Sequence, residues 1–305
     1  MTRENQVAAN RRTLPGLRWP GGRHVAVVLN VAYEVWSEGQ ASGVGPMGNP
    51  LPAGIFDSNA DSYGRYGAVD GIRRLMRKLK QARATADVFT SGALAERQPQ
   101  LVKAVAEAGH GIIGHGYAQD IIPAKLSSAD DEKYIGLTTR LLTEVTGRQP
   151  TGWVSPRATP GPDTARHLAR LGYKWQSDSL DADLPYLEEF EQGSLVAIPL
   201  TIEFNDLSHS MRFGRTPRQF IDLFEEALEA TLADTNDTVV LDVLVHTHCY
   251  GRPAGAWAFG EIARRCVARD DIWLTGREQI AEHFLREIGA SGETRERGNN
   301  ISKLR

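Results

Sequence analysis

Thr238-Val-Val-Leu-Asp-Val-Leu-Val-His246-Thr-His248-Cys-Tyr-Gly-Arg-Pro253 is the stretch on which the fold turns. Residues 238–245 form a β-branched and leucine-rich run that only Asp242 interrupts. Such a run marks a buried strand of a parallel sheet. Two histidines follow where the run stops, and a Gly-Arg-Pro turn closes the stretch. In parallel α/β folds catalytic groups gather where strands end, because a rigid strand delivers a side chain into a loop-lined crevice. His246 and His248 are therefore candidate site residues, against the plainer reading of a loop cap and its packing neighbour.

Outward from this stretch, strands alternate with helices. Arg23–Asn30 is predicted as the first strand, with others at Ala84–Ser91, His110–His115, Gly152–Ser155, Tyr173–Asp178, Leu195–Pro199 and Asp271–Thr275. Helices are predicted at Gly71–Leu79, Pro99–Ala108, Asp130–Thr146, Asp163–Leu171, Pro217–Leu232, Trp257–Ala268 and Arg277–Ile288. The alternation calls for a mostly parallel sheet. About seven or eight βα units, with no dinucleotide fingerprint after the first strand, favour a barrel over an open Rossmann sheet. Residues 1–22 read as an N-terminal arm, 23–288 as one domain, and 289–305 as a charged, disordered tail. Residues 39–66 are rich in Gly and Pro; with Trp36, Met47, Phe56, Tyr63 and Tyr66 they read as a loop lining a pocket.

Composition narrows the function. The chain has 305 residues, 35 basic and 38 acidic, a net charge of −3. This balance gives no basis for nucleic-acid binding or an electrostatic membrane anchor. Cys249 and Cys266 lack zinc-ligand spacing and do not make a disulfide scaffold. No leader-like or membrane-length apolar run occurs, so a cytoplasmic setting is expected. Neither a P-loop nor a Gly-x-Ser-x-Gly elbow is present, which removes support for nucleotide and serine-hydrolase chemistry.

Polar residues follow each apolar run. They are Asn30 and Glu34; His115, Tyr117 and Asp120; Ser155 and Arg157; Asp178, Asp181 and Asp183; Glu203, Asn205 and Asp206; and His246 and His248. In a barrel with one catalytic face these converge. A histidine, a buried carboxylate and a fixed cation suit hydrolysis of an unactivated C–N bond. That reaction needs a base for water, an acid for the leaving nitrogen and a donor for the oxyanion.

The chain resembles the carbohydrate esterase family 4 superfamily, the NodB-homology polysaccharide deacetylases, and most closely its allantoinase-like branch. The resemblance runs from about Arg18 to about Phe284 and rests on Arg18-Trp-Pro-Gly, Tyr66-Gly-x-x-x-Gly-Ile72, Ala108-Gly-His110, His115-Gly-Tyr117 and Thr146-Gly-Arg-Gln-Pro-Thr-Gly-Trp153. Asp183-Leu-Pro-Tyr186, Asn205-Asp206 with Met211-Arg-Phe213, and the Gly251-Arg-Pro turn also follow that branch. The resemblance implies an α/β fold, a distorted (β/α)7-type barrel with long active-site loops. It also implies amide hydrolysis: of N-acetyl groups on sugars in most members, of a cyclic ureide in the allantoinases.

Departures from the family pattern shape the expected site. The deacetylases carry Thr-Phe-Asp-Asp-Gly where this chain reads Leu29-Asn30-Val31-Ala32, so Glu34 is the nearest carboxylate. Their His-x-x-x-His becomes His115 and Gln119, and an amide is a poor zinc ligand. Catalytic roles are expected for His246, His115, Glu34, Arg157 and Asp178, with Asp178 holding Arg157 and His246 protonating the leaving nitrogen. Substrate contacts are expected from Asn30, Trp36, Tyr117, Asn205, Asp206 and His248. No cofactor is expected to be required; if a divalent metal such as zinc binds, Glu34, His115 and Asp120 are the candidate ligands. The expected partner is a small cyclic amide, ureide or imide, with an N-acetylated glycan as the alternative, in a homo-oligomer that binds neither nucleic acid nor membrane.

Overall fold

The computed structural model describes residues 11–41, 45, 51, 52 and 54–302, with side chains through residue 290. Met47 and most of residues 42–53, part of the expected pocket loop, lie outside the described residues, as do 1–10 of the expected arm. Strands β1 (Arg11–Arg12), β2 (Val25–Tyr33), β3 (Asp87–Thr90), β4 (Gly111–Gly114), β5 (Gly152–Trp153) and β6 (Trp175–Gln176) come first. Strands β7 (Tyr186–Phe190), β8 (Gly193–Ala197), β9 (Phe204–Asn205), β10 (Val239–His246) and β11 (Trp273–Thr275) follow. The helices are α1 (Ser58–Tyr66), α2 (Ile72–Ala82), α3 (Gly92–Arg97), α4 (Pro99–Glu107) and α5 (Ser128–Thr146). Then come α6 (Thr164–Arg170), α7 (Pro217–Ala233), α8 (Pro253–Val267) and α9 (Arg277–Ser302).

The strands form one sheet in the order β1-β7-β8-β6-β5-β4-β3-β2-β10-β9, with β11 paired to β2 beside β3. Only β1–β7 and β7–β8 are antiparallel. The fold is α/β, a distorted (β/α)7-type barrel in which no described ladder joins β9 to β1.

Side-chain parity explains why β2 and β10 are so apolar. Val25, Val27, Leu29, Val31 and Tyr33 pack with Leu241, Val243 and Val245 against α2, α7 and α8. Their even-numbered neighbours Ala26, Val28 and Val240 join Phe89, Ile113, Val154, Trp175, Val196 and Ile198 in a second, interior cluster. A strand covered on both faces needs an apolar residue at nearly every position. Each fully buried large side chain there contributes about 1.5–3 kcal/mol.

Four features depart from the sequence expectation. Leu17 and Trp19 of the expected arm are buried in the interior cluster with Ile280 and Phe284 of α9, so that segment plugs the domain. Part of the expected pocket loop folds as α1, capped by Asp57, whose carboxylate accepts from Ala60 N. The hairpin β7–β8 adds an antiparallel edge. Helix α9 continues through 289–302, where composition predicts a disordered tail; Glu293, Arg295, Glu296 and Arg297 in that segment are good helix formers.

Candidate active site

Parity and register assemble the site. β10 lies parallel to β2 with Leu244 opposite Asn30 and His246 opposite Ala32. Thr247 N donates to Ala32 O, which extends the pairing past the strand end. Glu34 and His248 thus continue the inward-facing series beyond Ala32 and His246. β4 brings in the third imidazole: His115 N donates to Thr90 O, as Ser91 N does to Tyr33 O.

Glu34 is the centre. Its Oε1 lies 3.1 Å from His115 Nε2 and 4.0 Å from His246 Nε2, and its Oε2 lies 3.8 Å from His248 Nδ1. All four residues are buried. His115 Nδ1 donates to Val154 O at 2.7 Å, so one proton must lie between its Nε2 and the Glu34 carboxylate. Burial pushes the Glu34 carboxyl up, but the charge of His246 and the His115 hydrogen bond outweigh that and hold it at about 2. The site therefore keeps an ionised carboxylate among imidazoles.

The two histidines of the opening stretch are driven apart. Asp206 accepts from His246 Nδ1 at 2.6 Å and, through its other oxygen, from the His246 and Tyr250 amides at 2.8 and 3.0 Å. Burial pulls His246 down, but the charges of Asp206 and Glu34 prevail and raise it above the ordinary histidine value. No carboxylate is hydrogen-bonded to His248, and burial outweighs the charge of Glu34 and takes this ring down to about 4. Environments that separate two like groups in this way mark an acid and a neutral partner at one pH.

Aromatic rings close the pocket around His248. Trp36 meets it edge-on at 5.3 Å and Tyr63 of α1 at 5.9 Å. Helix α1 and the π turn after it reach the His246–Gly251 turn only because Gly67, Gly71 and Gly251 lack side chains. A Cβ at Gly67 would stand 2.5 Å from His248 N, and one at Gly71 2.1 Å from Thr247 O. That is the physical reason for Tyr66-Gly-x-x-x-Gly-Ile72.

Below the site lies a buried ionic network. Arg277 is fully buried; it donates to Asn30 Oδ1, to Asp242 Oδ1 and to Ser177 Oγ, the last at 2.9 Å. Its backbone amide donates to Asp87 Oδ2 at 2.8 Å. Asn30 in turn donates to Asp242 Oδ1 at 3.2 Å and to Val28 O. The one signal for this in the sequence is Asp242 itself, since a carboxylate in a buried strand requires a cation.

Several expected roles change. Arg157 is exposed and is not held by Asp178, whose oxygens accept from the Ser155 amide and hydroxyl at 2.6 Å each. The backbone sends Arg157 outward at φ 61°. Asn30 belongs to the Arg277 network beneath the pocket and not to the substrate surface. Asn205 Oδ1 accepts from Leu207 N, capping the turn after β9. Asp206 orients His246 and is not a substrate contact. Tyr117 lies at the rim and donates to Glu96 at 2.6 Å. Glu34, His115, His246, His248 and Trp36 do come together. Tyr63, expected on a pocket-lining loop, does reach the site but from a helix, and Arg277 was missed because it sits 247 positions from Asn30.

The residues do not fit the deacetylase metal. Val31 packs on the helix side, away from the pocket. Gln119 donates its amide to Ser91 Oγ and His115 O, each at 3.1 Å. Asp120, a candidate ligand with Glu34 and His115, instead accepts from Ser37 N at 2.8 Å. Among the described residues no three His, Cys, Asp or Glu side chains are grouped to hold a metal ion. Nor is any helix among them long and apolar enough to cross a membrane. Two clefts of about 700 and 680 Å³ open elsewhere, near His110, around Asp87 and Arg148 and between α2 and α4. Neither contains the Glu34 cluster, and chemistry rather than cleft size identifies the site.

Residues 56–175 match the polysaccharide deacetylase family model. A peptidoglycan deacetylase of Helicobacter pylori is 25% identical over 295 residues, covering 86% of this chain and 98% of that one. A solved structure of a probable polysaccharide deacetylase from Pseudomonas aeruginosa aligns with a TM-score of 0.77 at 28% identity, over 88% of this chain and 93% of its own. The PuuE allantoinase structure aligns with a TM-score of 0.75 at 27% identity, over 87% and 91%. The resemblance read from the motifs therefore holds: the chain is similar to polysaccharide deacetylases of the NodB, carbohydrate esterase 4 type and to the PuuE allantoinase, and is a hydrolase of non-peptide carbon–nitrogen bonds.

Proposed function

We propose that the protein hydrolyses the C–N bond of a small cyclic amide, ureide or imide without a metal. The observation that carries this reading is the enclosed cluster of Glu34 with His115, His246 and His248. Closure by Trp36 and Tyr63 favours a compact substrate over a long glycan. Similarity to PuuE allantoinase supports the same class. The Glu34 carboxylate, held ionised, anchors the base side of the reaction. His246, raised by Asp206, carries the proton that the leaving nitrogen takes up.

The alternative is N-deacetylation of a glycan, possible with a metal, and the Helicobacter pylori relative named as a peptidoglycan deacetylase favours it. Purified protein assayed for bound metal, then offered hydantoins, cyclic imides, ureides and N-acetylated sugars before and after chelation, separates the two. Ring opening that survives chelation is the expected result. A tightly held zinc, with acetate release abolished by chelation, would install the alternative.

A further inference from the structure

We propose that His248 is the general base that activates water, oriented by Glu34, so that the two histidines of one strand end divide the acid and base work. The inference deepens the hydrolase reading above and rests on it.

Hydrogen-bond accounting at His248 carries the argument. Its Nδ1 is enclosed and has no hydrogen-bond partner, while Nε2 is not among the enclosed atoms. The polar atom that Nδ1 faces is Glu34 Oε2, at 3.8 Å. A carboxylate oxygen only accepts, so the tautomer that suits this contact carries its proton on Nδ1. That leaves the Nε2 lone pair on the accessible side. Trp36, Tyr63 and His246 pack around the ring at 5.3, 5.9 and 5.5 Å and hold its orientation. The arrangement repeats, more loosely, the one at His246, where Asp206 stands behind Nδ1 and leaves Nε2 for chemistry. A carboxylate behind one ring nitrogen fixes which nitrogen reacts at the other side.

Burial keeps His248 neutral at pH 7, with its value down at about 4, while the charges of Asp206 and Glu34 shift His246 the opposite way, toward holding its proton. In the reaction, water oxygen bonds to the carbonyl carbon while one water proton passes to His248 Nε2. The C–N bond then breaks as His246 Nε2 gives its proton to the nitrogen. Loss of the Nε2 proton from His248 to solvent and uptake of one proton by His246 Nε2 reset both rings, while the His248 Nδ1 proton stays on the side that Glu34 faces.

The test uses the full-length chain labelled with ¹⁵N-histidine, with His248→Gln to assign the resonance. Expected at pH 7 is one His248 signal with Nδ1 protonated and Nε2 bare. Protonation at Nε2, or at both nitrogens, overturns the proposal whether or not a substrate is known. On the best amide substrate, His248→Ala should lower kcat at least about 100-fold. KM should stay within about threefold. Free imidazole should restore part of the rate, which a merely packing histidine would not allow. An unchanged kcat overturns the base assignment. Absence of any amide hydrolysis by the wild type would sink the proposed function, while the tautomer would still be decided by the spectrum.

Discussion

Asp206 grips His246 at two points, its Oδ1 taking the ring Nδ1 proton at 2.6 Å and its Oδ2 the backbone amide of the same residue at 2.8 Å. One carboxylate thus fixes both where the strand end lies and which ring nitrogen is free. Asp206→Asn keeps the shape but can present an amide N–H to Nδ1, which favours the wrong tautomer. Asp206→Asn and Asp206→Ala should each lower kcat by about 10²–10⁴-fold with a smaller effect on KM. Steady-state kinetics on the substrate found in the amide screen measures this; a loss confined to KM would remove Asp206 from the acid's support.

Arg277 makes a different kind of prediction, one of stability. Its guanidinium is fully buried against Asp242, and its amide binds Asp87. Arg277→Met leaves buried carboxylates without their cation and should cost about 3–5 kcal/mol in urea unfolding. Adding Asp242→Leu removes the orphaned charge, so the double variant should be more stable than Arg277→Met alone. A double variant no better than the single one would show that the ion pair is not the source of the loss.

Much of the fold was legible because its cause is local. An apolar run such as residues 238–245 is a buried strand in almost any context, and the polar residues after each run marked the catalytic end. Glu34, His115, His246 and His248 could be named for that reason. What stayed hidden depends on distant partners. Asp206 lies 40 residues before His246, and spacing alone did not say that it faces the ring. Asp178 kept the spacing of an arginine-orienting carboxylate, yet Ser155 supplies both of its nearest donors and Arg157 points outward. Asn30 looked like a pocket residue until Arg277, from the last helix, was placed beneath it. Helix α1 carries Gly64 and few apolar residues, so its pattern gave no period to read.

Asp87 sets a pH dependence. Burial pushes its carboxyl up to about 6, against the pull of Arg277. The folded state therefore holds the proton more tightly than the unfolded chain does. The associated stability is fully present below pH 4 and is lost as pH rises through about 6. Asp87→Asn stays neutral throughout, so its stability relative to wild type should improve between pH 4 and pH 7 by at least about 1.4 kcal/mol, the worth of one pKa unit. Urea denaturation at both pH values gives the difference, and an offset that does not change with pH would rule out the raised carboxyl.

Gly71 and Gly136 separate close packing from helix propensity. Gly71 has helical φ and ψ of −61° and −53°, so its backbone would accept alanine, and helix propensity alone would favour the change by about 1 kcal/mol. Space does not allow it: a Cβ there would lie 2.1 Å from Thr247 O and 2.9 Å from Thr247 C. Backbone atoms cannot rotate away, so α2 or the His246–Gly251 turn must move. Gly136 of α5 has nothing within 4 Å of the same added atom. Gly136→Ala should therefore stabilise the protein by about 0.5–1 kcal/mol with activity unchanged. Gly71→Ala should destabilise it by about 1–3 kcal/mol. The same variant should lower kcat because the turn it displaces carries both His246 and His248. Thermal or urea unfolding of the two variants beside wild type, with their rates, provides the check. Equal gains in stability at both positions would mean that the helix does not rest on the catalytic turn as tightly as the glycines require.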